Sequence, residues 1–128
     1  MNVHPCIEYQ DEVLAVTPQK RVVHLLTVTE KAKAGKKPEG RKPVVMVTAR
    51  VHPGEVSSSY CFQGILEFLL NYNNMQAYLL RKLFIFKMVP MLNPDGVCEG
   101  NYRMDPQGFN LNRFYNEPSP ESQYVCIY

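Results

Sequence analysis

The chain has 128 residues, a net charge of +2, and 45% hydrophobic against 20% charged residues. That profile suits a single globular domain. It is too weakly basic to imply nucleic acid, and no apolar run approaches the ~20 residues of a membrane span. Residues 1–10 include His4, Pro5, Glu8 and Gln10 and lack the apolar core of a secretory signal. Cys6, Cys61, Cys98 and Cys126 form no CxxC pair. They are predicted to be reduced thiols of a cytosolic protein, with Cys61 a buried small hydrophobe.

In chain order, residues 12–16 and 21–29 are β-rich runs separated by Thr17-Pro18-Gln19-Lys20, which predicts a hairpin. Residues 31–42 crowd Lys31, Lys33, Lys36, Lys37, Arg41 and Lys42 around Gly35, Pro38 and Gly40. They read as a solvated connection between strands, with attraction of acidic tails as the alternative. Residues 44–49, bounded by Pro43, read as a buried strand. A helix follows from Ser57 to Leu70, with Phe62, Ile65, Leu66, Leu69 and Leu70 at helical spacing. Asn71-Tyr72-Asn73-Asn74 breaks it, and residues 75–82 predict a second helix. Residues 83–89 are nearly all apolar, as a strand covered on both faces would be. From Pro90 onward the chain reads as irregular, and Asn93-Pro94-Asp95-Gly96 as a turn.

This order predicts an α/β fold with a mixed β-sheet flanked by helices. The crossover rule makes residues 44–49 and 83–89 parallel partners. Their carboxyl ends then share one rim, which carries both His52 and Asn93. Open α/β sheets bind ligands at such rims.

His52-Pro53-Gly54-Glu55 stands at the strand-to-helix turn on that rim. An imidazole and a carboxylate three residues apart are possible zinc ligands, although HxxE alone is a weak pattern. The bland alternative is a turn histidine beside a carboxylate at a helix start. Gly100-Asn101-Tyr102-Arg103 and Asn110-Leu111-Asn112-Arg113 add two arginines and several amides. A guanidinium fork matches a carboxylate bidentately. A rim holding a metal and two arginines suits a substrate with a carbonyl and a free carboxylate.

Taken together, four blocks in order resemble the M14 metallocarboxypeptidases, and within them the cytosolic carboxypeptidases. They are Ala49-Arg50-Val51-His52-Pro53-Gly54-Glu55, the run from Phe86 through Asn93-Pro94-Asp95-Gly96 to Val97, Gly100-Asn101-Tyr102-Arg103, and Asn110-Leu111-Asn112-Arg113. The resemblance implies the amino-terminal part of a zinc-carboxypeptidase fold, with Zn2+ held by His52 and Glu55. It implies that Arg103 polarises the scissile carbonyl and stabilises the oxyanion. Asn112 and Arg113 would hold the substrate's terminal carboxylate. Members of this branch remove glutamates from polyglutamylated tubulin and other acidic-tailed proteins. That implies a cytoplasmic protein, with the cytoskeleton and the nucleus as further places of action.

The chain also departs from the family pattern. The third zinc ligand is a histidine beyond the asparagine–arginine pair, and the general-base glutamate lies further on. No histidine follows Arg113, His4 and His24 precede the motif, and Glu117 and Glu121 stand too near Arg113. The expectation is therefore a partial catalytic domain over residues 1–128, with its strands and helices to about residue 90 and a substrate-site loop over 91–128. Such a chain would be inactive alone, as a fragment, a short isoform or an incomplete gene model. The competing readings are a non-catalytic product of the same gene and a zinc amidohydrolase that deacylates N-acyl amino acids. Pro53 and the residue 93–113 wording favour the carboxypeptidases.

Overall fold

The computed structural model describes residues 3–32 and 40–116. Lys33, Lys36 and Lys37 of the basic stretch, and Glu117, Glu121 and Cys126, lie outside the described residues. Four strands form one sheet in the order β1-β2-β4-β3. They are β1 (Ile7–Val16), β2 (Val22–Glu30), β3 (Val44–Thr48) and β4 (Ile85–Val89). β1 and β4 both pair antiparallel with β2, while β3 and β4 are parallel, as predicted. The hairpin also forms where expected. Thr17 N donates to Arg21 O at 2.8 Å, and Lys20 takes φ 65° in the turn. β1 begins earlier than residue 12, because Ile7 through Gln10 continue the pairing with β2.

Helices α1 (Ser57–Leu70) and α2 (Met75–Leu83) connect β3 to β4. On α1, Phe62 and Leu69 are buried and Leu66 and Leu70 pack beside them, against Leu26, Val28, Phe86 and Met88 of the sheet. Ile65 points outward, at the edge of the stripe. Asn74 caps α2 by accepting from Ala77 N at 2.9 Å, which turns the Asn-rich break into a start signal. Arg81, fully buried, bonds Glu30 through Nε at 2.8 Å and Leu69 O through Nη1 at 2.6 Å. It thereby satisfies a carbonyl at the open end of α1. A smaller cluster of Val23, Val89 and Leu92 fills the other face, beneath the carboxyl ends of β3 and β4.

Several expectations are corrected. β3 is an edge strand rather than a buried one, with Val44 59% and Met46 56% exposed. Leu83 belongs to the end of α2 and is exposed, so β4 starts at Ile85. Cys61 is exposed, because it lies on the outer side of α1. The chain after Pro90 is not wholly irregular: it forms helix α3 (Pro94–Glu99) and a 3-10 turn, η1 (Leu111–Arg113). Asn93-Pro94-Asp95-Gly96 is a helix start. Asn93 Oδ1 accepts from Gly96 N at 2.9 Å, Pro94 opens the first turn, and Gly100 closes the helix at φ 76°.

Lys42 is not a free surface cation. Its Nζ donates to Thr29 Oγ1 and Glu30 O at 2.9 Å and to Arg81 O at 3.1 Å. Burial lowers its pKa, against the opposing pull of Glu30 and Glu8. The described ends of the basic stretch follow β2 and precede β3. Since β2 runs antiparallel to β4, those ends lie at the pole of the sheet opposite His52.

Candidate active site

Beyond their last paired residues, β3 and β4 stay stitched together. Leu92 N donates to Ala49 O at 2.9 Å, and Asn93 N to Arg50 O at 3.2 Å. Asn93 Nδ2 reaches Val51 O at 3.3 Å. These bonds bring the start of α3 beside the His52 turn, placing both on one rim as the topology predicts. Two close approaches complete the join. A Cβ on Gly96 would stand 2.7 Å from Pro53 Cγ, and one on Gly54 would stand 2.8 Å from Tyr102 O. Gly54 N donates to that same Tyr102 oxygen at 2.7 Å, which fastens the Arg103 loop to the turn. Only glycine allows this spacing.

His52 is buried and Glu55 is half exposed, with His52 Nδ1 2.9 Å from Glu55 Oε1. On the other side of the ring, His52 Nε2 is 3.0 Å from Asn110 Oδ1. That oxygen also accepts from Asn112 N at 3.2 Å, which fixes the orientation of the Asn110 amide. An amide oxygen can only accept, so the Nε2 proton belongs on His52. Nδ1 then faces a carboxylate. Nδ1 and the carboxylate then turn their lone pairs toward one point, an arrangement that a shared cation would fit.

The donor set fits zinc. An imidazole nitrogen and a carboxylate oxygen are ordinary zinc ligands, and two tetrahedral ligands at ~2.0–2.1 Å from the metal stand roughly 3.3 Å apart. The observed contact would open by a few tenths of an ångström. Among the described residues no group of three or more His, Cys, Asp or Glu converges.

Arg103 is half-buried and lines a recess of about 390 Å3 with Asn101, Tyr102, Met104 and Asp105. It makes no side-chain hydrogen bond or ion pair with the described residues. Asn112 and Arg113 are exposed on η1, and Arg113 Nη1 donates to Asn112 O at 3.0 Å. Among the described residues their side chains make no hydrogen bond or ion pair with His52 or Glu55, and Asn110, the residue before η1, reaches the His52 ring. In the sequence Asn110 stands only as part of a block. Its position two residues before Asn112 gives no role by itself; the contact appears only once η1 folds back on the turn.

A buried carboxylate, Asp95, holds the neighbouring hairpin. Asp95 accepts from Thr17 Oγ1 at 2.7 Å, Arg21 Nη1 at 2.9 Å and Gln19 N at 3.2 Å. The Asp95 bond raises the Arg21 pKa further above its ordinary value.

The family model described as zinc carboxypeptidase, of the M14 peptidases, matches residues 11–125. The chain belongs to the zinc carboxypeptidase family. It is 54% identical over 80 residues to cytosolic carboxypeptidase-like protein 5 of Danio rerio, covering 62% of this chain and 9% of that protein. It is 46% identical over 111 residues to cytosolic carboxypeptidase 6 of Mus musculus, covering 85% and 20%. Among solved structures, a putative carboxypeptidase A from Shewanella denitrificans superposes with a TM-score of 0.84 at 32% identity, covering 98% of this chain and 31% of that one. The chain thus spans a small part of the length of these relatives. No helix among the described residues is long and apolar enough to cross a membrane.

Proposed function

We propose that this chain carries the His52–Glu55 part of the zinc site, and part of the substrate site, of a cytoplasmic metallocarboxypeptidase acting on glutamate-tailed proteins such as polyglutamylated tubulin. The cytoskeleton and the nucleus are the further places of action this reading implies. The observation that carries it is the contact between His52 Nδ1 and Glu55, with the ring's other nitrogen, Nε2, facing the Asn110 amide oxygen. Zinc, when bound there, would supply Lewis acidity and a water of lowered pKa. Arg103, with no side-chain hydrogen bond or ion pair among the described residues, is suited to meet negative charge developing on a carbonyl oxygen, where a fixed donor matters most. The Arg113 fork, with Asn112 beside it, is suited to the free carboxylate that distinguishes a chain end from an internal peptide bond. The preference for glutamate rests on the resemblance to the cytosolic carboxypeptidases.

Binding separates these roles without requiring turnover. Zinc affinity of the 128-residue chain should be lost in His52→Ala and Glu55→Ala, because each removes one of few ligands. A peptide ending in several glutamates should bind more tightly than its carboxyl-terminal amide, and Arg113→Ala should erase that difference while Arg103→Ala keeps it. Equal binding of acid and amide by the unaltered chain would refute the carboxylate assignment. In a catalytically complete protein, Arg103→Ala should lower kcat by about 100-fold or more, whereas Arg113→Ala should chiefly raise KM.

A further inference from the structure

Arg50 takes φ 56°, a left-handed backbone that side-chain-bearing residues rarely adopt. Such positions persist where the surroundings over-determine them, and they gather at functional sites. Here the surroundings are specific. Arg50 O accepts from Asn93 N, and Arg50 N donates to Ser58 Oγ at 3.2 Å. The side chain adds two more bonds, from Nε to Pro53 O at 2.7 Å and from Nη1 to Ser59 Oγ at 2.9 Å.

The start of α1 shows the same arrangement from the other side. Val56 stands at the N-cap and offers no side-chain cap. Serines at a helix start usually serve the free N–H groups there. Instead, Ser58 Oγ accepts from Arg50 N and donates to Glu55 O at 2.8 Å, while Ser59 Oγ serves the guanidinium. Arg50 therefore spans His52-Pro53-Gly54-Glu55 from two residues before the turn to the helix after it.

We infer that Arg50 is a positioning residue for the metal-ligand turn: its planar fork fixes the Pro53 carbonyl against the start of α1, and so keeps His52 and Glu55 convergent. The inference rests on the zinc reading above. Lysine cannot reproduce it, because a single ammonium lacks the two diverging N–H groups. Glycine would suit the backbone better, yet it would leave the turn unfastened.

That opposition makes the test. Zinc affinity is measured by competition with a chromophoric chelator on the 128-residue chain and its Arg50→Gly, Arg50→Lys, Ser59→Ala and His52→Ala variants, and melting temperature is recorded separately in chelator. Arg50→Gly and Arg50→Lys should each weaken zinc binding by about tenfold or more, the range for groups that orient metal ligands. Ser59→Ala should weaken it by a smaller factor, and the melting temperatures should change little. If Arg50 serves only the fold, Arg50→Gly would bind zinc as the unaltered chain does, which overturns the inference while leaving the metal reading intact. Zinc binding that His52→Ala leaves unchanged overturns the metal reading, and this inference with it. Should Arg50→Gly fail to fold, full zinc affinity in both Arg50→Lys and Ser59→Ala would overturn the inference equally.

Discussion

Asp95 offers a direct test of how the hairpin is held to the site. Its side chain is 3% exposed and accepts three hydrogen bonds from the β1–β2 turn. Asp95→Ala strands the hydroxyl of buried Thr17, which should cost about 1–3 kcal/mol. Losing an acceptor for the half-buried Gln19 N–H should cost about 1 kcal/mol more. Arg21 adds little, since its guanidinium stays in contact with solvent and can rehydrate. The carboxylate's favourable place in the first turn of α3 contributes a further ~0.3–1 kcal/mol. The expected loss is about 3 kcal/mol, or roughly 10–20 °C in Tm for a domain of this size. Asp95→Asn keeps the shape and one accepting oxygen, so about half the loss is expected. Urea denaturation followed by circular dichroism, on both variants and on a Thr17→Ala cycle, would measure it. A loss below ~1 kcal/mol for Asp95→Ala, or a Thr17–Asp95 coupling below ~0.5 kcal/mol, would refute the reasoning.

Three further outcomes are expected. Asn110→Leu should lower zinc affinity by about 10–100-fold through release of the His52 ring, and Asn110→Asp should retain binding; unchanged affinity in Asn110→Leu would remove the tautomer argument. Gly54→Ala should destabilise the chain by about 1–3 kcal/mol, because the added Cβ would meet both the Tyr102 ring and the Tyr102 carbonyl, and the carbonyl cannot swing aside as a side chain can; a parent-like Tm would show that the Arg103 loop can move away freely. Neutralising the basic residues of 31–42 other than Lys42 should leave binding of an acidic peptide unchanged at physiological salt. β3 places five residues between the described end of that stretch and His52, roughly 17 Å, against a screening length of ~8 Å. A marked loss would revive the attraction of acidic tails.

The parts of the fold legible in the sequence were those governed by local rules. The stripe containing Phe62, Leu66 and Leu69 marked α1, and the apolar runs marked β3 and β4. Apolar content does not report a strand's place in its sheet, so β3 read as buried although it lies at the edge. Asn93-Pro94-Asp95-Gly96 read as a turn because those residues serve turns and helix starts alike. The signal that could have separated the two readings was Gly100, set where a left-handed residue would end a short helix. The basic stretch was misleading for another reason: charge counts carry no direction, and only the pairing of β2 with β4 shows which pole of the sheet its described ends occupy.

At the site, the candidate ligands were legible but their surroundings were not. His52 and Glu55 are named by their chemistry, whereas Pro53 and Gly54 between them are explained by neighbours far along the chain. Pro53 packs on Gly96, and Gly54 lies under Tyr102. Asn110, from a fourth segment, sets the ring's proton. The four blocks quoted from the sequence are thus parts of one interlocked surface, and several of their residues serve one another rather than the substrate. A substitution in one block should therefore be felt in the next. Gly96→Ala, well removed in sequence from any proposed ligand, would press on Pro53 inside the His52–Glu55 turn and on the Asn93 amide that bonds Val51 O, and is expected to weaken zinc binding through those contacts.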